Sequence, residues 1–244
     1  MIPKVIHYCW FSGDPQPPFI RNCINSWKKV MPDYEIKCWD DNSFDFDSVP
    51  FVKQAIEARK WAFAADYVRL YALYTEGGVY LDSDVEVFKR FDCFLHSDFF
   101  IGTERISSTE YLPEAAIMGA QKGHVLLPKC MEYYQNRNFE LPEDETKCIT
   151  IPRVMNPILK LFGYEQKDET QKLQAGITVY STDFFDNGLI RPKTDIYAWH
   201  KNAGSWLSKE TQRGRLYKWA KKYDCLSIYR LIEKVINKLK GLKK

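Results

Sequence analysis

Short apolar runs alternate along this chain with longer amphipathic ones, in the manner of strands alternating with helices. Residues 2–10 read as a buried strand ending at Trp10, and Gly13-Asp14-Pro15 supplies a turn. Pro17 and Pro18 suit the first turn of a helix, which the pattern carries to about Val30 before Pro32-Asp33 stops it. Tyr34–Trp39 alternates with the period of a strand, and Asp40–Pro50 is a polar loop. Two helices are predicted over about 50–60 and 61–76, with Gly77 as the residue that ends the second. Val79–Leu81 is a short buried strand, and extended structure resumes at Val85–Val87. Further strands are expected at 99–103, 115–119, 177–180 and 196–199, with helices near 124–136 and 145–162. From Ser208 the spacing is helical again, in two pieces broken near Asp224. Strands interleaved with helices predict an α/β fold with a mostly parallel central sheet, whose ligands sit at the carboxyl ends of the strands.

The 244 residues suit one large domain, expected at 1–207, with an appendage at 208–244. Charge marks the same division. From Lys209 to Lys244 there are twelve Lys or Arg against three Asp or Glu, so the remainder of a chain of net charge +3 is acidic. An acidic body argues against nucleic-acid binding. The basic tail, with Leu216, Trp219, Ile228, Leu231 and Ile232 among its lysines, has two readings: an amphipathic contact with an anionic membrane surface, or a stripe packed on the body. No apolar run approaches the ~18 residues of a membrane span, and no secretory signal precedes the first strand. The expectation is a cytoplasmic protein, in peripheral contact with the inner face of the plasma membrane only on the first of these two readings of the tail. Seven cysteines without a C-x-x-C pair read as buried thiols in a reducing compartment. An aromatic content of 15% fits either an aromatic core or stacking on rings and sugars.

Candidate chemistry centres on Gly77-Gly78-Val79-Tyr80-Leu81-Asp82-Ser83-Asp84. A glycine pair ends a helix, a buried strand follows, and two carboxylates close it. Residues i and i+2 of a strand share a side, so Asp82 and Asp84 converge on one cation. Two carboxylates suit Mg²⁺ or Mn²⁺ that takes further oxygens from a phosphate. The spacing alone is weak, since Asp45-Phe46-Asp47 repeats it in a polar loop with no apolar strand leading in. Upstream, Asp66 and Arg69 are neighbours on a helix face among Ala62, Ala64, Ala65, Val68 and Leu70. That apolar setting argues for a pair facing a polar cleft rather than open solvent. Near the end, His200 and the Gly204-Ser205-Trp206 loop gather a metal ligand, a hydroxyl and an indole N–H.

These blocks together resemble glycosyltransferase family 32, the DXD-containing sugar transferases, which include bacterial capsular-polysaccharide enzymes, yeast initiating α-1,6-mannosyltransferase and the clostridial toxin glucosyltransferase domain. The matching stretches are Ile2–Phe11, Lys60–Leu70, Tyr74–Val85 and His200 with Gly204–Trp206, in family order across residues 2–207. The resemblance implies a GT-A fold and a retaining, metal-dependent transfer of a hexose from a nucleotide-diphospho-sugar, a UDP-sugar before GDP-mannose. The acceptor would be a glycan or lipid-linked sugar of bacterial surface polysaccharide. It implies that Trp10 stacks on the donor base and that Asp66 and Arg69 hold the donor sugar and diphosphate. Asp82 would stand between metal and sugar, Asp84 would be the direct metal ligand, and His200 a further ligand. Ser205 and Trp206 would contact the metal and the β-phosphate. Glu114 is the acceptor-side candidate. The rival readings are a metal-dependent nucleotidyltransferase or phosphohydrolase, which also places carboxylates at strand ends, and a non-catalytic sugar-binding module. The absence of a Walker-type glycine loop argues against a kinase.

Overall fold

The computed structural model describes residues 1–106, 110–140, 149–186 and 195–202. The predicted tail helices, and Ser205 and Trp206, lie outside the described residues. In chain order the elements are β1 (Val5–Cys9), α1 (Pro18–Val30), β2 (Glu35–Trp39), α2 (Pro50–Glu57), α3 (Trp61–Glu76), β3 (Gly78–Leu81), β4 (Val85–Val87), β5 (Phe99–Arg105), β6 (Tyr111–Ala120), α4 (Leu126–Gln135), α5 (Ile151–Lys160), β7 (Gln171–Lys172), β8 (Ile177–Tyr180), β9 (Phe185–Asp186) and β10 (Ala198–His200).

Seven strands form the central sheet in the order β2-β1-β3-β6-β5-β8-β7. β1 pairs in parallel with β2 and β3, and β5 with β8, while β6 runs antiparallel to both its neighbours and β7 antiparallel to β8. Five of the seven strands therefore point the same way, with β6 and β7 reversed, so the mostly parallel sheet holds. The sequence pattern does not announce a second sheet. Three short strands, β4-β10-β9, form one, with β10 antiparallel to β4.

The sheet is sandwiched. On one face α2, α3, α4 and α5 bury a core that includes Val68, Leu73, Tyr80, Met118, Leu127 and Met155. On the other, α1 and the small sheet bury Phe19, Trp27, Val79, Leu81, Phe91, Phe94, Phe100 and Phe185. α1 begins at Pro18, whose missing N–H costs nothing in a first turn, and turns Phe19, Ile20, Cys23, Ile24 and Trp27 inward. The Trp27 indole donates to the Val85 carbonyl at 2.7 Å, and Ser26 Oγ accepts from the Val87 amide at 2.9 Å, which ties β4 to this helix.

The glycine pair has a strict backbone reason. Gly77 and Gly78 have φ of 72° and 106°, values that side chains with a Cβ rarely adopt. A Cβ on Gly78 would also stand 2.7 Å from the Val5 carbonyl oxygen and 3.0 Å from His7 Nε2. His7 is fully buried there. Its Nε2 donates to the Gly77 carbonyl at 2.8 Å, and its Nδ1 accepts from the Trp39 indole at 3.1 Å. Burial lowers the His7 pKa, consistent with a neutral ring that donates on one side and accepts on the other. This joint turns the chain sharply from α3 into β3.

Among the described cysteines none is in a disulfide. Cys23 and Cys130 are buried and Cys9 and Cys38 half-buried, but Cys93 is exposed, against the expectation of buried thiols. Cys93 lies in a short 3-10 turn, Asp92–Phe94, whose inward position is taken by Phe94.

Candidate active site

α3 is buried nearly all round rather than amphipathic, because it lies under the sheet with further helices outside it. Asp66 and Arg69 therefore sit inside the protein, 6% and 4% exposed. A buried guanidinium needs acceptors for its rigid fork of donors, and Arg69 finds several. Nε donates to the Ala65 carbonyl at 3.2 Å and Nη1 to the Ala115 carbonyl at 2.9 Å. Nη2 lies 3.1 Å from Asp66 Oδ1 and 3.2 Å from Asp82 Oδ1. The ring of Tyr80 lies beneath the guanidinium at 4.7 Å, and the Tyr80 hydroxyl donates to Asp82 Oδ1 at 2.9 Å. One cation thus aligns two carboxylates, and a strand tyrosine fixes the second.

Burial pushes the Asp66 carboxyl up to about 7, against the opposing pull of Arg69. The backbone N–H of Ile151, at the start of α5, also bonds Asp66. Burial alone would lower Arg69, but Asp82, Tyr80 and Asp66 together raise it above its ordinary value, so it is charged throughout.

Asp82 and Asp84 converge, but not by the strand pleat expected from sequence. β3 ends at Leu81, and Asp82–Val85 is a tight turn closed by the Val85 amide on the Asp82 carbonyl at 2.9 Å. The turn hands the chain from the large sheet to β4 of the small one. The Asp82 amide bonds the Ala116 carbonyl at 2.9 Å, so β6 anchors the start of the turn. At its far side, β10 pairs with β4 in the register His200↔Val85, which sets His200 beside Asp84. His200 Nε2 lies 3.4 Å from Asp84 Oδ1, and ligand atoms of Asp82, Asp84 and His200 all fall within 4.8 Å of one another. Two carboxylates and an imidazole suit a divalent cation.

Glu114 enters this cluster from β6. It is 3% exposed, and its Oε1 accepts from His200 Nδ1 at 3.1 Å and from the Ala116 amide at 3.1 Å. Burial disfavours a charged His200 ring, but Glu114 and Asp84 outweigh it and hold the pKa well above its ordinary value. Glu114, expected from sequence to meet an acceptor, thus stands behind the histidine.

A bulge explains how β6 reaches so many partners. Ile101 pairs with Met118, and the next residue, Gly102, pairs with Glu114. Ala115, Ala116 and Ile117 are therefore extra residues relative to β5. Their backbone is redirected: Ala115 toward Arg69, Ala116 toward Asp82 and Glu114. Bulges of this kind re-aim side chains beside functional sites.

Trp10 stands just after β1, at the same carboxyl edge of the sheet as Asp82. It is half-buried, with its amide on the Trp39 carbonyl at 2.9 Å and its indole N–H on the Asp14 carbonyl at 2.7 Å. The Asp45-Phe46-Asp47 copy serves a turn: Asp45 Oδ1 accepts from the Asp47 amide at 3.1 Å, and exposed Asp47 pairs with Lys53. Sequence reasoning missed Tyr80 and the Glu114–His200 bond. Tyr80 was findable, since it lies two residues before Asp82 on the strand that leads into the turn. Nothing local marks Glu114 as a partner of a residue 86 positions away.

Comparison with known proteins gives a family match over part of the chain and a shared fold. Residues 17–101 match the family described as "Glycosyltransferase sugar-binding region containing DXD motif". "Inositol phosphoceramide mannosyltransferase 3" of Schizosaccharomyces pombe is 31% identical over 133 residues, covering 52% of this chain and 35% of that protein. The chain thus spans about a third of that relative's length. "Uncharacterized glycosyltransferase L373" of Acanthamoeba polyphaga mimivirus is 24% identical over 222 residues, 84% of each chain. Among solved structures, a glycosyltransferase involved in the glycosylation of the major capsid of PBCV-1 superposes with a TM-score of 0.50 at 12% identity, over 88% of this chain and 100% of that one. The fold is that of the GT-A glycosyltransferases.

Proposed function

We propose that the chain is a DXD-containing glycosyltransferase that transfers a hexose, with retention, from a nucleotide-diphospho-sugar to a glycan or lipid-linked acceptor. The observation that carries this reading is the convergence of Asp66, Arg69 and Asp82 with Asp84 and His200 at the carboxyl edge of β3. A binding module would have no need to bury an aspartate–arginine pair and join it to a potential cation site.

Asp84, Asp82 and His200 would hold the cation, and the nitrogen donor favours Mn²⁺ over Mg²⁺. When bound, the cation offsets the negative charge that develops on the departing diphosphate. Asp66 and Asp82, aligned by one guanidinium, accept from sugar hydroxyls and orient the donor. Trp10 offers its face to the base. Glu114 is 3% exposed and stands behind His200, which argues against its acting as a covalent nucleophile and favours front-face transfer.

UDP-sugars come first among the donors by family resemblance. A mannose donor is the second reading, favoured by the mannosyltransferase among the relatives. A role in bacterial surface polysaccharide at the cytoplasmic membrane face fits the basic tail at 209–244. No described helix is long and apolar enough to cross a membrane.

The deciding experiment incubates the protein and Mn²⁺ with UDP-glucose, UDP-galactose, UDP-N-acetylhexosamines and GDP-mannose, and measures released nucleoside diphosphate. One donor should stand well above the rest. Release of pyrophosphate instead would assign nucleotidyl transfer, and no release from any donor would remove the proposal. Asp84→Ala should lower turnover about 100-fold or more. Near wild-type turnover of that variant in EDTA would refute the cation site.

A further inference from the structure

We propose that Glu114 is the positioning carboxylate of the cation site, holding His200 so that Nε2 faces Asp84. The inference rests on the cation reading above and adds to it a residue that no motif contains.

Three observations lead there. First, β10 is only three residues long and His200 is its last, so the strand by itself holds the ring weakly. Glu114 supplies the missing restraint from the other sheet, bonding Nδ1 at 3.1 Å. With Nδ1 committed to the Glu114 carboxylate, Nε2 is the ring nitrogen left facing Asp84 and free to meet a cation. Second, the bulge of β6 is what brings Glu114 here. Its Oε1 is locked by the Ala116 amide at 3.1 Å, and Ala116 in turn anchors Asp82. The histidine and the first carboxylate are thus referred to one rigid segment. Third, Glu114 Oε2 is buried with no hydrogen-bond partner among the described residues. Stability alone does not favour a half-satisfied buried carboxylate, and an apolar or amide side chain would be cheaper. Charge at this position has a use if a divalent cation lies beyond the imidazole, because a carboxylate behind a ligating histidine raises its basicity.

The test uses the full chain and Mn²⁺ alone, followed by electron paramagnetic resonance, with melting temperature measured alongside. Glu114→Ala should weaken Mn²⁺ binding ~100-fold and Glu114→Gln, which keeps an acceptor for Nδ1–H, ~10-fold. A merely structural role would lower the melting temperature without this graded loss. Wild-type affinity in Glu114→Ala would overturn the proposal. Nitrogen NMR of Mg²⁺-loaded wild-type protein needs no variant: the His200 proton should be on Nδ1, and finding it on Nε2 would refute the assignment. Asp84→Asn separates the positioning role from the cation site itself. If it abolishes Mn²⁺ binding while Glu114→Ala leaves it intact, only the positioning role fails. If Asp84→Asn also leaves binding intact, the cation site fails and the role of Glu114 with it.

Discussion

Asp66 titrates far from an ordinary carboxyl. Folded, its carboxyl titrates at about 7, whereas in the unfolded chain it titrates near 3.8. Between those values the folded state keeps a proton that the unfolded state has released. The residue's contribution to stability therefore declines as pH rises from about 4 to about 7 and is level above that. Asp66→Asn abolishes the titration, so its stability relative to wild type should improve across that window by up to a few kcal/mol. Urea unfolding at a series of pH values measures it, and parallel curves would show that Asp66 titrates ordinarily. Its partner is equally specific. Arg69 serves Ala65, Ala115, Asp66 and Asp82 from one planar fork, which a lysine ammonium cannot reproduce. Arg69→Lys should cost about 3 kcal/mol of stability by leaving buried carboxylate unpaired, and about 100-fold in turnover by misplacing it. Denaturation and nucleoside diphosphate release check the two effects separately. That these residues face inward was legible from the small apolar residues around them. Their reach to Asp82 was not, since it spans a helix end and a strand.

At the scale of elements, the joint between α3 and β3 and the turn after β3 do the positioning. Gly78→Ala meets both a forbidden φ and a 2.7 Å contact with backbone, so it should destabilise the fold by several kcal/mol or prevent folding. Gly123 has a similar φ of 76° but nothing within 4 Å of the place a Cβ would take, so Gly123→Ala should cost only ~1–2 kcal/mol. Thermal melts of the two variants distinguish crowding from backbone preference, and equal shifts would mean the contact with Val5 is unimportant. Helix starts such as Pro18 were readable because proline and periodicity act locally. The small sheet was not, because β4 and β10 are three residues each and their pairing joins segments over 100 residues apart. Neither was the β6 bulge, which exists only relative to β5.

At the scale of the whole molecule, charge is divided between an acidic body and a basic tail. If the tail docks on membranes, the full chain should sediment with vesicles containing ~30% anionic lipid and release as salt shortens the Debye length to a few ångströms. No difference from neutral vesicles would leave packing on the body as the tail's role. The larger division is between what is local and what is not. The sequence by itself determined the order of the main strands and helices, the glycine joint, the DXD pair and the family resemblance, because period, capping and motif spacing are written over a few neighbouring residues. Only the tertiary structure decided that Arg69 aligns Asp66 with Asp82, that a turn rather than a strand converges Asp82 and Asp84, and that Glu114 stands behind His200. Those contacts depend on sheet order, register and a bulge, and such pairings between distant segments leave no period in the chain.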